Sequence, residues 1–295
     1  MKELSGVPVV ERIEGAIEGF KEQSPSLAIY LIGDDPASRI YARSKVKRGK
    51  KLGIDIRIHN FNQGSGQNEV EEGIRESSSS KDVDGIMVER PLPKGFDLGA
   101  LMSLIPPSKD VEGLTPCNYG LLSQGSPRII PPTPLGAILL TMHYGIETSG
   151  KNVVVMGRSV NVGRPLYLLL SSKAPFGNAT VSQIHSRTRE PENYLRNADL
   201  VYSAVGKPGM IKGKMIKEGA VLIDMGISTV EGEKGIFGDV DSSSVDGVAS
   251  ALTPTPGGTG PVTVASIFLN LFICRGYVKG EFPNFEDRII RNIYG

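Results

Sequence analysis

The chain has 295 residues, with 33 Lys and Arg against 32 Asp and Glu, a net charge of +1, and 39% hydrophobic residues. That length suits two domains or one large α/β unit, and the near-neutral balance gives no reason to expect a nucleic-acid partner. Cys117 and Cys274 form neither a disulfide framework nor a metal-ligand spacing, and His59, His143 and His185 lie far apart. No metal is expected, and a reducing, cytoplasmic setting is. Met1 to Ser5 lacks an apolar signal core.

Pro8 to Gln23 has helical spacing, with Val9, Ile13, Ile17 and Phe20 on one stripe. Ser26 to Gly33 reads as an apolar strand. Asp35 then caps a second helix that carries Pro36 at its first position and runs to about Leu52. A strand is expected over Ile54 to Asn60, a helix near Gln67 to Glu76, a polar loop over Ser77 to Ser80, and a strand over Asp84 to Val88. Strands alternating with helices imply parallel βα units. On the second helix Tyr41 and Lys45 share a face. An aromatic ring beside an amine suits a flat heterocyclic substrate; an amphipathic helix with a solvated lysine has the same spacing. Glu89 stands where a strand meets Pro91-Leu92-Pro93, and ligands of open α/β sheets collect at the carboxyl ends of strands. It reads either as a site residue or as a loop charge paired with Arg90. Pro106 to Asn118 carries Asp110 and Glu112 in a turn-rich run, either a crossing between domains that supplies carboxylates or a surface loop.

Pro131-Pro132-Thr133-Pro134 precedes an apolar helix that runs to about Tyr144 and is expected to bridge the two halves. Gly150 to Pro165 reads as strand, tight turn and helix: Val153 to Met156 is an apolar run, Gly157 ends it, and a helix starts near Val162. Such a turn presents backbone N–H groups and a helix N-terminus to a phosphate. It has only Gly157 and Gly163 where a GxGxxG motif has three glycines, but Arg158 and Ser159 add a cation and a hydroxyl. Further strands are expected over Ala179 to Ile184, Leu200 to Ala204 and Ala220 to Asp224. NAD-binding folds place an acid after the second strand to hold the ribose hydroxyls. Here the run is His185-Ser186-Arg187-Thr188-Arg189, which favours a 2′-phosphate and hence NADP. Thr253 to Pro261 is a rigid glycine–proline loop entering a buried apolar helix, Val262 to Cys274, which reads as too short to cross a bilayer, so no membrane is expected. A short helix is expected over 284–294.

Taken in order, several blocks resemble the methylenetetrahydrofolate dehydrogenase/methenyltetrahydrofolate cyclohydrolase family: Tyr41-Ala42-Arg43-Ser44-Lys45, Asp84 to Val88 with Pro91-Leu92-Pro93, Lys109-Asp110-Val111-Glu112-Gly113, Pro132-Thr133-Pro134, Gly157-Arg158-Ser159 with Val162 to Pro165, and Pro256 to Pro261. The resemblance covers nearly the whole chain. It implies an α/β protein of two domains, usually a homodimer, with residues 1–118 completed by 265–295 as a folate-binding catalytic domain. Residues 119–264 would form a Rossmann-like, parallel-sheet NADP-binding domain. It implies oxidation of 5,10-methylenetetrahydrofolate and hydrolysis of the methenyl product to 10-formyltetrahydrofolate, a place in one-carbon metabolism that serves purine biosynthesis. By the same likeness Tyr41 stacks on the pterin, Lys45 handles protons with Glu89 beside it, and Glu112 hydrogen-bonds the pterin. Gly157, Arg158, Ser159, Val162, Gly163, His185 and Ser186 line the adenosine end of the cofactor, Ile227 and Thr263 its nicotinamide end, and Pro256, Gly257 and Gly258 border the folate.

Two departures from the family pattern matter. Gln-Leu before Pro-Leu-Pro is here Glu89-Arg90, and KDVDG is here Lys109 to Gly113 with Glu112. A glutamate beside Lys45 favours its ammonium form, whereas a general base must be deprotonated. The cyclohydrolase step is therefore the less secure activity, unless Arg90 captures Glu89 and frees Lys45, or Glu89 is itself the base. The runners-up are a dehydrogenase with little cyclohydrolase activity and a catalytically silent nucleotide-binding homologue.

Overall fold

The computed structural model describes residues 1–230, 232 and 235–279; the helix expected over 284–294 lies outside the described residues. In chain order the elements begin with β1 (Lys2–Glu3), α1 (Val7–Glu18), β2 (Ser26–Ile32), α2 (Pro36–Lys51), β3 (Asp55–Phe61), α3 (Gln67–Ser79) and β4 (Gly85–Val88). Then come α4 (Leu98–Ser103), α5 (Pro116–Ser123), α6 (Pro132–His143), β5 (Asn152–Met156), α7 (Gly163–Ser171), β6 (Thr180–Ile184) and α8 (Pro191–Leu195). The last are β7 (Leu200–Ser203), β8 (Val221–Asp224), α9 (Ser242–Val245), β9 (Ala251–Leu252) and α10 (Thr259–Lys279).

The chain divides into two compact units. One holds 13–121, 127–130 and the described residues from Ile267; the other holds Met1–Arg12, Leu122–Ser126 and Pro131–Ser266. The first is built on a parallel sheet in the order β3-β2-β4. Its central strand β2 is buried along its whole length, which is why Ser26 to Ile32 reads as an unbroken apolar run. The edge strand β3 has no fully buried residue. Asp35 caps α2 as expected, its Oδ2 accepting from Ser38 N at 2.7 Å. Helix α3 continues through Ser79, past the loop expected at Ser77, because the Lys109 ammonium donates to the carbonyls of Ser77, Ser78 and Ser80 and satisfies the helix end.

The second unit carries a wholly parallel sheet in the order β1-β9-β8-β7-β5-β6. Strand order reverses at β5, with β6 on one side and β7 on the other, so the chain leaves a switch point outside the carboxyl ends of β5 and β7. Helix α6, expected as a bridge, lies wholly in this unit. Met1–Arg12 also belongs here, not with the 1–118 segment: Lys2 and Glu3 pair with Ala251 and Leu252, and Gly6 N donates to Gly257 O at 2.8 Å. A strand of two residues leaves no periodicity to read.

Helix α10 has 21 residues and is by length and composition able to cross a membrane, longer than its apolar run suggested. However, 72% of that window is buried inside the protein. Its Asn270 is held there by two bonds, Nδ2 donating to Val111 O at 2.9 Å and Ile130 O at 2.8 Å. These mark α10 as a core helix. Replacing Asn270 with Leu strands both carbonyls in the interior. The expected loss is about 2–4 kcal/mol of unfolding free energy, read as a lower urea midpoint with unchanged m.

Candidate active site

In the first unit the chemistry gathers where β4 ends. Spacing of four on α2 puts Tyr41 and Lys45 on one face, and that face turns inward: Lys45 is 2% exposed, whereas Lys47, Lys50 and Lys51 are exposed. Lys45 is therefore not the solvated lysine its basic neighbours suggested. Its Nζ donates to both oxygens of Glu89, at 2.8 and 2.7 Å, and lies 5.1 Å from the centroid of the Tyr41 ring. Burial, and then the Glu89 charge, push the Tyr41 phenol up, so the ring presents a neutral aromatic face.

Arg90 does not capture Glu89. Its Nη2 donates to Glu112 Oε1 at 2.7 Å, while Glu112 Oε2 accepts from Val88 N at 3.1 Å. Sequence reasoning considered only the adjacent residue as the partner of Arg90. The extra methylene of Glu112 carries its carboxylate to the guanidinium. Burial pushes the Glu112 carboxyl up, and Arg90 and then the Val88 N–H pull it down. Asp110 supplies no free carboxylate: Oδ1 accepts from Glu112 N, and Oδ2 from Thr115 N and Asn118 Nδ2, which builds the turn that presents Glu112. Tyr41, Lys45, Glu89, Arg90 and Glu112 thus share one unit.

The expected dinucleotide residues lie in the other unit, at the carboxyl ends of its strands. Gly157 ends β5 at φ +122°, and a Cβ on Gly163 would come within 2.2 Å of Gly157 O, so strand and helix meet only through glycine. Val162 makes no side-chain cap at the start of α7, and Ser159 Oγ only approaches Gly163 N at 3.4 Å, which leaves this helix N-terminus for an anion. Arg158 is exposed, its Nη1 3.4 Å from His185 Nε2. A neutral imidazole has one acceptor nitrogen, and Nδ1 already accepts from Arg187 N at 3.2 Å. The Arg158 donors thus stay available to a phosphate. Ser186, Arg187 and Arg189 are exposed beside them, and no carboxylate pairs with Arg158 among the described residues. The residues present fit a phosphorylated dinucleotide.

Ile227 is 46% exposed just past β8, an apolar side chain on an otherwise polar rim. Thr263 Oγ1 lies 3.5 Å from Thr133 Oγ1 on the first turns of α10. Pro256 is exposed, and Gly257 and Gly258 pack against Gly6 in this same unit. Two residues that sequence reasoning passed over hold this rim. Asp239 accepts from Ser203 Oγ, Val205 N and Lys207 N, each at 2.8 Å. Asp224 accepts from Gly226 N, Asp239 N and Val240 N. Burial pushes Asp224 up to about 6 against these three backbone donors. The signal was in the chain: both acids sit in apolar, glycine-flanked runs where a charge has no surface to occupy.

Known proteins match this arrangement along the chain. A family model described as the catalytic domain of tetrahydrofolate dehydrogenase/cyclohydrolase matches residues 5–112, and that family's NAD(P)-binding domain matches 131–276. A bifunctional protein FolD from Maridesulfovibrio salexigens is 41% identical over 269 residues, 90% of this chain and 93% of that protein. The bifunctional 5,10-methylenetetrahydrofolate dehydrogenase/cyclohydrolase of Thermoplasma acidophilum superposes with a TM-score of 0.87 at 35% identity, covering 95% of this chain and 100% of that one. The Trypanosoma brucei dehydrogenase-cyclohydrolase, solved with NADP and an inhibitor, gives 0.87 at 30%, covering 95% and 97%. With both domains matched in order over most of its length, the chain belongs to the tetrahydrofolate dehydrogenase/cyclohydrolase family.

Proposed function

We propose that this enzyme oxidises 5,10-methylenetetrahydrofolate with NADP⁺ and hydrolyses the methenyl product to 10-formyltetrahydrofolate, in the cytoplasm and as a homodimer, as a step that serves purine biosynthesis. The observation that carries the reading is the buried Lys45–Glu89 pair beside the Tyr41 ring. Tyr41 offers a flat face to the pterin, and Glu112 offers carboxylate oxygens to the ring's N–H groups. Bound NADP⁺ would supply the hydride acceptor, held by the turn from Gly157 to Gly163, by Arg158, His185 and Ser186, and near Ile227 and Thr263. Pro256, Gly257 and Gly258 would border the folate. Oxidation asks little proton chemistry of the chain, because a folate nitrogen stabilises the cation that results; orientation is the main requirement.

Hydrolysis asks more. Water adding to the methenyl carbon loses a proton, and the nitrogen released on ring opening gains one. Lys45 Nζ carries the transferable proton, and Glu89 holds it in place through both oxygens. With Lys45 already taken by Glu89, Glu89 is also the group placed to receive a proton from it. The two cysteines are unpaired, which supports a reducing compartment. The homodimer rests on the family likeness.

The direct test mixes the protein with 5,10-methylenetetrahydrofolate and NADP⁺ and quantifies NADPH, methenyl and 10-formyl products against a no-enzyme control. The expected result is NADPH together with enzyme-accelerated 10-formyl product. Methenyl product that decays only at the control rate would leave a dehydrogenase alone, and no NADPH with either NADP⁺ or NAD⁺ would sink the reading. Lys45→Gln keeps a donor toward Glu89 but carries no proton. It is expected to lower the cyclohydrolase rate about 10²- to 10⁴-fold while methylene oxidation falls far less, both read in the same assay. In Glu89→Gln the ammonium loses its anionic partner, and the cyclohydrolase rate should change more than methylene oxidation does; an unchanged rate would exclude a role for the Glu89 charge. Arg158→Ala should raise KM for NADP⁺ about 10-fold or more and leave KM for NAD⁺ nearly unchanged, as steady-state kinetics would record.

A further inference from the structure

The Glu112 carboxylate is 3% exposed, and among the described residues Arg90, Asp110 and Glu89 are the charges that act on it. Glu89 and Asp110 lie near enough to push it toward the neutral acid, and Arg90 is the cation that opposes them. Neither neighbouring lysine can substitute, since Lys45 gives its ammonium to both oxygens of Glu89 and Lys109 gives its own to the end of α3. The backbone carbonyl of Arg90 lies 3.1 Å from Ser38 Oγ at the start of α2. Each oxygen of Glu112 accepts one bond from the chain, from Arg90 Nη2 and from Val88 N, and keeps a second lone pair. Arg90 Nη1 is buried and finds no acceptor among the described residues.

We propose that Arg90 is a positioning residue: it holds and aims the Glu112 carboxylate as the two-oxygen acceptor for the paired N–H edge of the pterin. This rests on the folate reading above. A pterin presents a lactam N–H next to an exocyclic amine, two parallel donors that match a carboxylate and not a carboxylic acid, which surrenders one acceptor to its own proton. Without Arg90, burial, Glu89 and Asp110 act unopposed except by the Val88 N–H, and Glu112 takes up a proton at higher pH. Folate affinity then weakens toward acid pH and recovers as pH rises.

The test compares wild type, Arg90→Leu and Arg90→Lys, with KM and kcat for 5,10-methylenetetrahydrofolate and KM for NADP⁺ measured from about pH 6 to about pH 8.5. Arg90→Leu should raise the folate KM about 10- to 100-fold at the acid end, with the deficit shrinking toward the alkaline end. Its kcat should change less than about threefold, and its KM for NADP⁺ should stay at the wild-type value, which also reports a folded protein. Arg90→Lys keeps the cation and should restore most of the affinity and a flat profile. A wild-type folate KM with a flat profile in Arg90→Leu overturns the proposal. So does an equal loss in both variants that extends to NADP⁺, the mark of a merely structural residue. Wild-type protein that forms no NADPH from this folate overturns the functional reading, and the proposal falls with it.

Discussion

Charge taken out of water must be matched within a few ångströms, and that constraint organises the end of β4. Glu89 and Glu112 are both nearly buried there, and each has its own cation, Lys45 for one and Arg90 for the other. Removing one member of such a pair strands its partner, at a cost of about 3–5 kcal/mol. The side chains therefore hold one another in place, and the three elements that carry them are held with them: α2 through Lys45, β4 through Glu89 and Arg90, and the turn after Lys109 through Glu112. The apolar sheet beneath supplies a rigid floor, and the charges supply the registration. A group that must deliver a proton is useful only if it is positioned, and the pairing positions Lys45 from two oxygens at once.

The second unit meets the same constraint by other means. Its buried acids, Asp224 and Asp239, have backbone N–H groups as their main partners, with Ser203 adding a hydroxyl. These bonds fix the loops that follow β7 and β8. Side-chain cations are thereby kept for the outer face, where Arg158, Arg187 and Arg189 are exposed. One unit pairs its cations inside, with Glu89 and Glu112. The other leaves them outside, where a phosphate can reach them.

Much of this was legible in the chain. The run Leu27 to Ile32 announced a central strand, and the valines before Met156 announced another, because a parallel strand covered on both faces has no polar side to interrupt it. Asp35-Pro36 marked a helix start through cap chemistry alone. Glu89 was a candidate from its place at a strand end, whereas spacing alone left Tyr41 and Lys45 equally readable as an amphipathic helix with a solvated lysine, and the family resemblance singled them out. What was not legible depended on distance in sequence. Arg90 is bonded to a residue 22 positions away, and no local pattern distinguishes that partner from its neighbour Glu89. The length of α3 was set by Lys109, 30 residues beyond its end, overriding a serine run of weak helix propensity. Strand β1 was invisible because two residues carry no period, and its pairing with β9 moved the first twelve residues into the other unit.

The departures from the family pattern look different once the pairing is known. Read singly, a glutamate beside Lys45 is an added negative charge in a proton-transfer site, and an arginine in place of leucine is an added positive one. Read together they cancel, and the aspartate-to-glutamate change at position 112 leaves the charge as it was and adds the reach that Arg90 requires. The cluster keeps the net charge that the usual glutamine, leucine and aspartate would give it. What changes is the degree of coupling. A glutamine orients a lysine without altering its charge balance, whereas Glu89 binds the ammonium as a counterion and Arg90 binds Glu112 in the same way. Glu112 and Lys45 then belong to one connected set of charges, because Glu89 acts on both of them.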